Sequence, residues 1–263
     1  MTSELTLLQK LGRSWRRIAS GISFSLFGLG GLILAVTVFP LLNIFVRDVA
    51  RREVYAQRTV HKIWTAFVWV VTALGVIEVE FSGAELLAED TGTLVIANHP
   101  SLIDVVLIMS LMNRTQCVVK PGVWSNPFMR GVVRATNYIP NLGDPERLIH
   151  DCVGVLRAGN NLVMFPEGSR TVPGEKPRLQ RGFANIAVRA SSPVRLVSIS
   201  CSPPTLFKGE KWYQVPTRRP RFHVRVWERL DMQEFQTSGV PTREARELSA
   251  YVARRFEELQ AHA

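Results

Sequence analysis

The run Thr93-Leu94-Val95-Ile96-Ala97, followed without a break by Asn98-His99-Pro100-Ser101-Leu102-Ile103-Asp104, decides how this 263-residue chain is read. Apolar residues at consecutive positions describe a strand buried on both faces, which belongs in the middle of a covered sheet. Polar residues stand at its C-terminal end and a helical pattern starts behind them, which is where α/β proteins place their sites. A second run repeats the arrangement: Asn161-Leu162-Val163-Met164-Phe165 leads into Pro166-Glu167-Gly168-Ser169-Arg170-Thr171. Two such constellations at two buried strand ends point to one composite site.

Outward from these runs, further β-type segments lie at 76–81, 116–120, 194–200 and 221–227, alternating with helical spacing over 102–112 and 145–158. Asp144 is placed as the N-cap of the latter. The pattern is that of an α/β domain. Residues 241–260 close the chain as a helix with Ala245, Leu248, Val252, Phe256 and Leu259 on one face, read as docked on the sheet.

The N-terminal part differs in kind. No charged residue occurs between Arg17 and Arg47, and residues 22–46 are almost entirely apolar, enough to cross a bilayer, which takes about 20 residues. A signal peptide has a shorter apolar region and a small-residue cleavage site, so the segment is read as retained. Both flanks are basic, which leaves the orientation open. Because Gly28, Gly30, Gly31 and Pro40 can interrupt a helix, a single span and a re-entrant helical hairpin both fit. A second apolar segment, 63–77, reads either as a buried helix or as an interfacial one. The expected division is a membrane anchor over 1–74 and an α/β domain over 75–263.

Composition narrows the partners. With 46% hydrophobic and 21% charged residues the chain is not intrinsically disordered. Cys117, Cys152 and Cys201 are far apart, without disulfide or metal-ligand spacing, so no metal or cofactor is expected. The net charge of +10 admits nucleic acid, an anionic membrane or an anionic substrate. Nine of the 32 basic residues flank the apolar run, where an anionic membrane surface wants them, and no nucleic-acid-binding pattern is present.

The two strand-end constellations also suggest chemistry. An imidazole at His99 and a carboxylate at Asp104, in the first helical turn, can meet so that one ring nitrogen is held and the other takes a proton. Glu167 can hold a hydroxyl or brace the site. Arg170 and the backbone around Gly168 suit an anion, with Lys176, Arg178 and Arg181 extending the positive field. There is no G-x-S-x-G elbow and no cysteine beside either motif in the sequence, so no covalent nucleophile is indicated.

His99 to Asp104 resembles the N-H-x-x-x-x-D block, and Phe165 to Thr171 the F-P-E-G-[ST]-R block, of glycerolipid acyltransferases typified by 1-acylglycerol-3-phosphate acyltransferase. The resemblance covers roughly residues 75–204. It implies a mixed sheet flanked by helices with an N-terminal membrane-embedded segment. It also implies transfer of an acyl group from acyl-CoA or acyl carrier protein to a lysophospholipid hydroxyl, on the cytoplasmic face of the inner membrane. The catalytic pair would be His99 and Asp104, with Glu167, Gly168, Ser169, Arg170 and Lys120 around the acceptor.

The chain departs from the family pattern in two places. Where the family has G-x-I-F-I-x-R, with an arginine for the acceptor phosphate, this chain has Asn137-Tyr138-Ile139-Pro140-Asn141-Leu142-Gly143, leaving Arg130 or Arg134 as substitutes. The V-P-I-V-P-V block becomes Ser192-Pro193-Val194-Arg195-Leu196-Val197. The stretch from Lys120 through Pro121 and Trp124 to Asn141, with Cys201 to Pro216, also resembles acyltransferases of bacterial aryl polyene lipid synthesis. That implies a non-glycerol acceptor. A catalytically inactive lipid-binding scaffold is the rival of another class, and the intact His99 and Asp104 argue against it.

Overall fold

The computed structural model describes residues 7–175 and 178–261, so Lys176 lies outside the described residues. The chain opens with α1 (Leu7–Ile33), a π-helical turn (Leu34–Val38) and α2 (Phe39–Phe45), then returns along α3 (Val49–Ala73). There follow β1 (Glu78–Ser82), α4 (Ala84–Glu89), β2 (Leu94–Ala97), α5 (Asp104–Met109), β3 (Thr115–Val119), α6 (Pro121–Ser125), α7 (Arg130–Ala135) and β4 (Ile139–Pro140). The remainder is α8 (Pro145–Arg157), β5 (Asn161–Met164), α9 (Gly182–Ala190), β6 (Val194–Ser202), β7 (Arg221–Leu230) and α10 (Pro241–Ala261).

The strands form one mixed sheet in the order β1-β7-β6-β2-β5-β3-β4. All neighbours pair in parallel except β6 and β7, which are antiparallel. As the both-face apolar runs predict, β2 is buried at every position and stands between β5 and β6. Its side chains alternate between two cores. Val95 and Ala97 join the core under α1–α3, α5 and α7, whereas Leu94 and Ile96 join the core under α8, α9 and α10. Asp144 caps α8 as expected, its Oδ1 accepting the Glu146 and Arg147 N–H groups at 3.1 Å each. The five apolar residues named on α10 are all buried. Within β6, Arg195 is a buried cation that the local pattern left unexplained; Asp90, equally buried, meets it at 2.8 and 2.9 Å.

The glycines of the N-terminal run do not break it. Residues Leu7–Phe45 form one helical stretch long and apolar enough to cross a membrane. The irregularity is the π turn just before Pro40, whose missing N–H and ring exclude ordinary helical bonding to the preceding turn. Glycine here permits close packing: a Cβ at Gly131 of α7 would lie 2.2 Å from the Ala35 Cβ. Leu34 and Phe39 enter the same core as the sheet residues Val95 and Val163. Opposite this packed side, Leu8, Leu11, Trp15, Ile18, Ile22, Leu29, Ile33 and Val36 form an exposed apolar stripe. The second apolar segment belongs to α3, which buries Val60, Trp64, Val68 and Val71 against the body and leaves Trp69 exposed.

Candidate active site

The helix expected over 102–112 begins only at Asp104 and ends at Met109. Residues 101–103 instead form a turn, because the Asp104 carboxylate reaches back to the Ser101 N–H, Oδ2 accepting at 2.6 Å. The same oxygen lies 2.8 Å from His99 Nδ1. Asp104 is fully buried, and its Oδ1 has no hydrogen-bond partner. Burial pushes the carboxyl up to about 6, opposed by the bond to His99. With Nδ1 facing the carboxylate, Nε2 is the nitrogen available to accept a proton.

The second motif supports the first from the neighbouring strand. Glu167 Oε1 accepts the His99 backbone N–H at 3.0 Å, its Oε2 accepts the Thr171 hydroxyl, and the Thr171 N–H donates to the His99 carbonyl at 2.9 Å. Phe165 stacks on the His99 ring, centroids 4.2 Å apart and planes inclined by 22°. Gly168 adopts φ +69°, and a Cβ there would come 2.5 Å from Gln180 Nε2. Asn98 fixes the loop to β6: its Nδ2 donates to the Ile199 carbonyl at 2.8 Å, and its Oδ1 accepts the Ile199 N–H at 2.7 Å. Phe165 and Thr171 are the end residues of the 165–171 motif segment, so their place at the site was legible although these contacts were not. Gln180 gave no local signal.

A groove of about 720 Å³ runs past His99, lined by Phe27 of α1, Trp64 of α3 and Met109 of α5 and at its polar end by Gly168, Ser169 and Arg170. Lys120 stands exposed at its rim. Tyr138 and Asn141 from the departing middle block also line it. Arg170 is turned toward the loop after β6, its Nη1 donating to the Leu206 and Phe207 carbonyls at 2.8 and 3.2 Å. Arg130 is exposed, and the Arg134 guanidinium lies 5.9 Å over the Trp124 ring. Trp124 packs against the core, and Arg178 and Arg181 are exposed. Folding brings Cys201 close enough for the Asp104 charge to act on its thiol. Burial holds that thiol up at about 12, so it stays protonated.

Residues 78–202 match the Acyltransferase family profile. The chain is 23% identical over 168 residues to a chloroplastic 1-acyl-sn-glycerol-3-phosphate acyltransferase of Brassica napus, covering 62% of this chain and 46% of that protein. It is 22% identical over 214 residues to a chloroplastic enzyme of the same description from Arabidopsis thaliana, covering 78% and 57%. The chain thus spans about half the length of these curated relatives. The crystal structure of the 1-acyl-sn-glycerophosphate acyltransferase PlsC from Thermotoga maritima superposes with a TM-score of 0.70 at 22% identity, covering 94% of this chain and 98% of that one, which establishes the shared fold. Over residues 78–202 the chain thus carries an acyltransferase domain similar to those of the 1-acyl-sn-glycerol-3-phosphate acyltransferases, on a PlsC-like fold.

Proposed function

We propose that the chain is a membrane-bound O-acyltransferase that moves a fatty acyl group from a thioester, on coenzyme A or acyl carrier protein, to a hydroxyl of a lysophospholipid such as 1-acylglycerol-3-phosphate. The observation that carries this reading is the His99–Asp104 pair beside a long apolar groove. His99 Nε2 takes the proton of the acceptor hydroxyl as its oxygen attacks the thioester carbonyl carbon, and Asp104 steadies the imidazolium. Collapse of the tetrahedral intermediate breaks the C–S bond, and the leaving thiolate recovers the proton from His99. Glu167 and Thr171 hold the backbone of His99, so the base does not drift. Gly168, Ser169, Arg170 and Lys120 border the acceptor's polar end, and the acyl chain lies along Phe27, Trp64 and Met109.

Residues 1–74 serve as the anchor of a catalytic domain over 75–263, on the cytoplasmic face of the inner membrane. The packing of Ala35 on Gly131, and of Leu34 and Phe39 in the body's core, supports a hairpin held from one side of the bilayer over a full span. A crossing helix would carry these residues away from the body.

A second reading keeps the chemistry and changes the acceptor to a non-glycerol lipid, as in aryl polyene lipid synthesis. Two observations favour it: the middle block lacks arginine, and Arg170 Nη1 is already committed to two carbonyls. The deciding experiment offers the purified chain an acyl thioester with 1-acylglycerol-3-phosphate or a non-phosphorylated lipid alcohol, products being followed by mass spectrometry. Saturation by micromolar 1-acylglycerol-3-phosphate supports the first reading, and turnover of the alcohol alone supports the second. Lipid binding without transfer to either acceptor would make the protein an inactive scaffold.

A further inference from the structure

The loop of residues 203–220, between β6 and β7, joins the catalytic turns to α1. Its near end is fixed at the site: the Leu102 N–H donates to the Leu206 carbonyl at 3.1 Å, Arg170 holds Leu206 and Phe207, and the Glu210 carboxylate accepts the Leu206 N–H. Its far end is fixed to α1, where Arg13 Nε donates to the Val215 carbonyl at 3.0 Å and Arg16 Nη2 to those of Pro216, at 3.2 Å, and Thr217. Between these anchors the loop presents Lys208, Lys211, Trp212 and Tyr213, all exposed.

That crest has the composition of a membrane-interface anchor: two large amphipathic rings between an apolar surface and cations. Trp212 is 45% and Tyr213 42% exposed. Their rings meet edge to face with centroids 5.6 Å apart, and Lys211 Nζ lies 5.7 Å from the Tyr213 centroid. Trp212 also packs on α1, its ring centroid 6.0 Å from that of Phe24. A Cβ at Gly21 would lie 3.3 Å from the Trp212 ring, and Gly21 stands one turn after Ile18, so the crest borders the uncovered stripe of Trp15, Ile18 and Ile22 on that helix. Phe24, Trp212 and Leu206 in turn line the groove that leads to His99.

We propose that this loop is a second membrane-docking element, seated on an anionic bilayer beside α1, and that Phe24 and Trp212 frame the portal through which a bilayer-resident lipid acceptor reaches His99. The choice of bilayer follows from the lysines and from continuity with the apolar face of α1. The portal rests on the acyl-transfer reading. The docking of Trp212 does not, and this separates the two in experiment.

The full chain is mixed with vesicles of phosphatidylglycerol and phosphatidylcholine brominated in the acyl chains, and quenching of tryptophan emission is compared between wild type and Trp212→Phe. A smaller quenched fraction in the variant is expected; equal quenching overturns the docking. Transfer is then measured with a long-chain 1-acylglycerol-3-phosphate embedded in the bilayer and with a short-chain form dissolved as monomer. Lys211→Glu/Tyr213→Ser, at crest positions outside the groove, raises the apparent KM for the embedded acceptor by about tenfold and leaves the monomeric one unchanged. Equal changes for both acceptors, or none for either, overturn the portal. If wild type transfers to neither, 1-acylglycerol-3-phosphate falls as the acceptor and the same comparison with embedded and monomeric forms of the non-phosphorylated lipid alcohol decides the portal, while the quenching result decides the docking.

Discussion

Asp104 offers His99 one carboxylate oxygen 2.8 Å from the ring Nδ1, while its other oxygen, equally buried, faces no donor. An ionised carboxylate in that position is costly to bury and useful to a base that must become an imidazolium. Raised to about 6, the carboxyl binds its proton more tightly in the folded chain than in the unfolded one. The stability this contributes is complete below the ordinary aspartate value and is lost as pH rises through about 6. The rise from the ordinary aspartate value puts the cost of ionised Asp104 near neutrality at roughly 3 kcal/mol. Under the proposed mechanism turnover has the opposite demand and is expected to fall as pH drops through about 6. Asp104→Asn is expected to lower turnover by about 10²–10⁴-fold. Urea unfolding should find it as stable as wild type or more so at pH 7, with this relative advantage shrinking toward pH 4. A large loss of stability at pH 7 would contradict the buried, weakly satisfied carboxylate.

Gly168 combines a left-handed backbone with close approach to Gln180, and the two constraints separate by mutation. Gly168→Ala is expected to destabilise by about 1–3 kcal/mol and to slow turnover, since the turn carries Glu167. Adding Gln180→Ala removes the clash but leaves the backbone strain, so melting temperature and turnover recover only in part. Full recovery would mean that the φ of +69° is not required.

The contact between Gly131 and Ala35 fixes the π-helical turn after α1 to the body. Gly131→Leu forces the helices apart, at a cost of about 1–3 kcal/mol. The expected readouts are a lower melting temperature in detergent and faster proteolysis at the turn over 46–48. Unchanged melting and proteolysis would show that the π-helical turn does not pack there.

The sequence was legible where a feature is local. Both-face apolar runs located β2 and β5, a side-chain acceptor before Pro145 located the start of α8, and helical spacing gave the buried face of α10. The His99 and Asp104 pairing was readable because they stand only five positions apart. Features made by distant segments were not. Arg195 looks misplaced in a central strand until Asp90 arrives from 105 residues away. The two-residue β4 and the short α6 and α7 are below the length at which periodicity speaks. The glycines at 28, 30 and 31 look like helix breakers in isolation, whereas α1 runs through them with Gly31 buried. The loop that closes the groove comes from 203–220, far from either motif, and only the folded chain brings Leu206 to Arg170.

The most direct test of the central claim is acyl transfer by purified wild type and His99→Ala, with acyl-CoA and acyl carrier protein each tried as donor to 1-acylglycerol-3-phosphate in mixed micelles. Wild-type turnover, with a loss of about 10²–10⁴-fold in a variant that melts normally, is the expected result. Transfer by His99→Ala at the wild-type rate would contradict the assignment of His99 as the base.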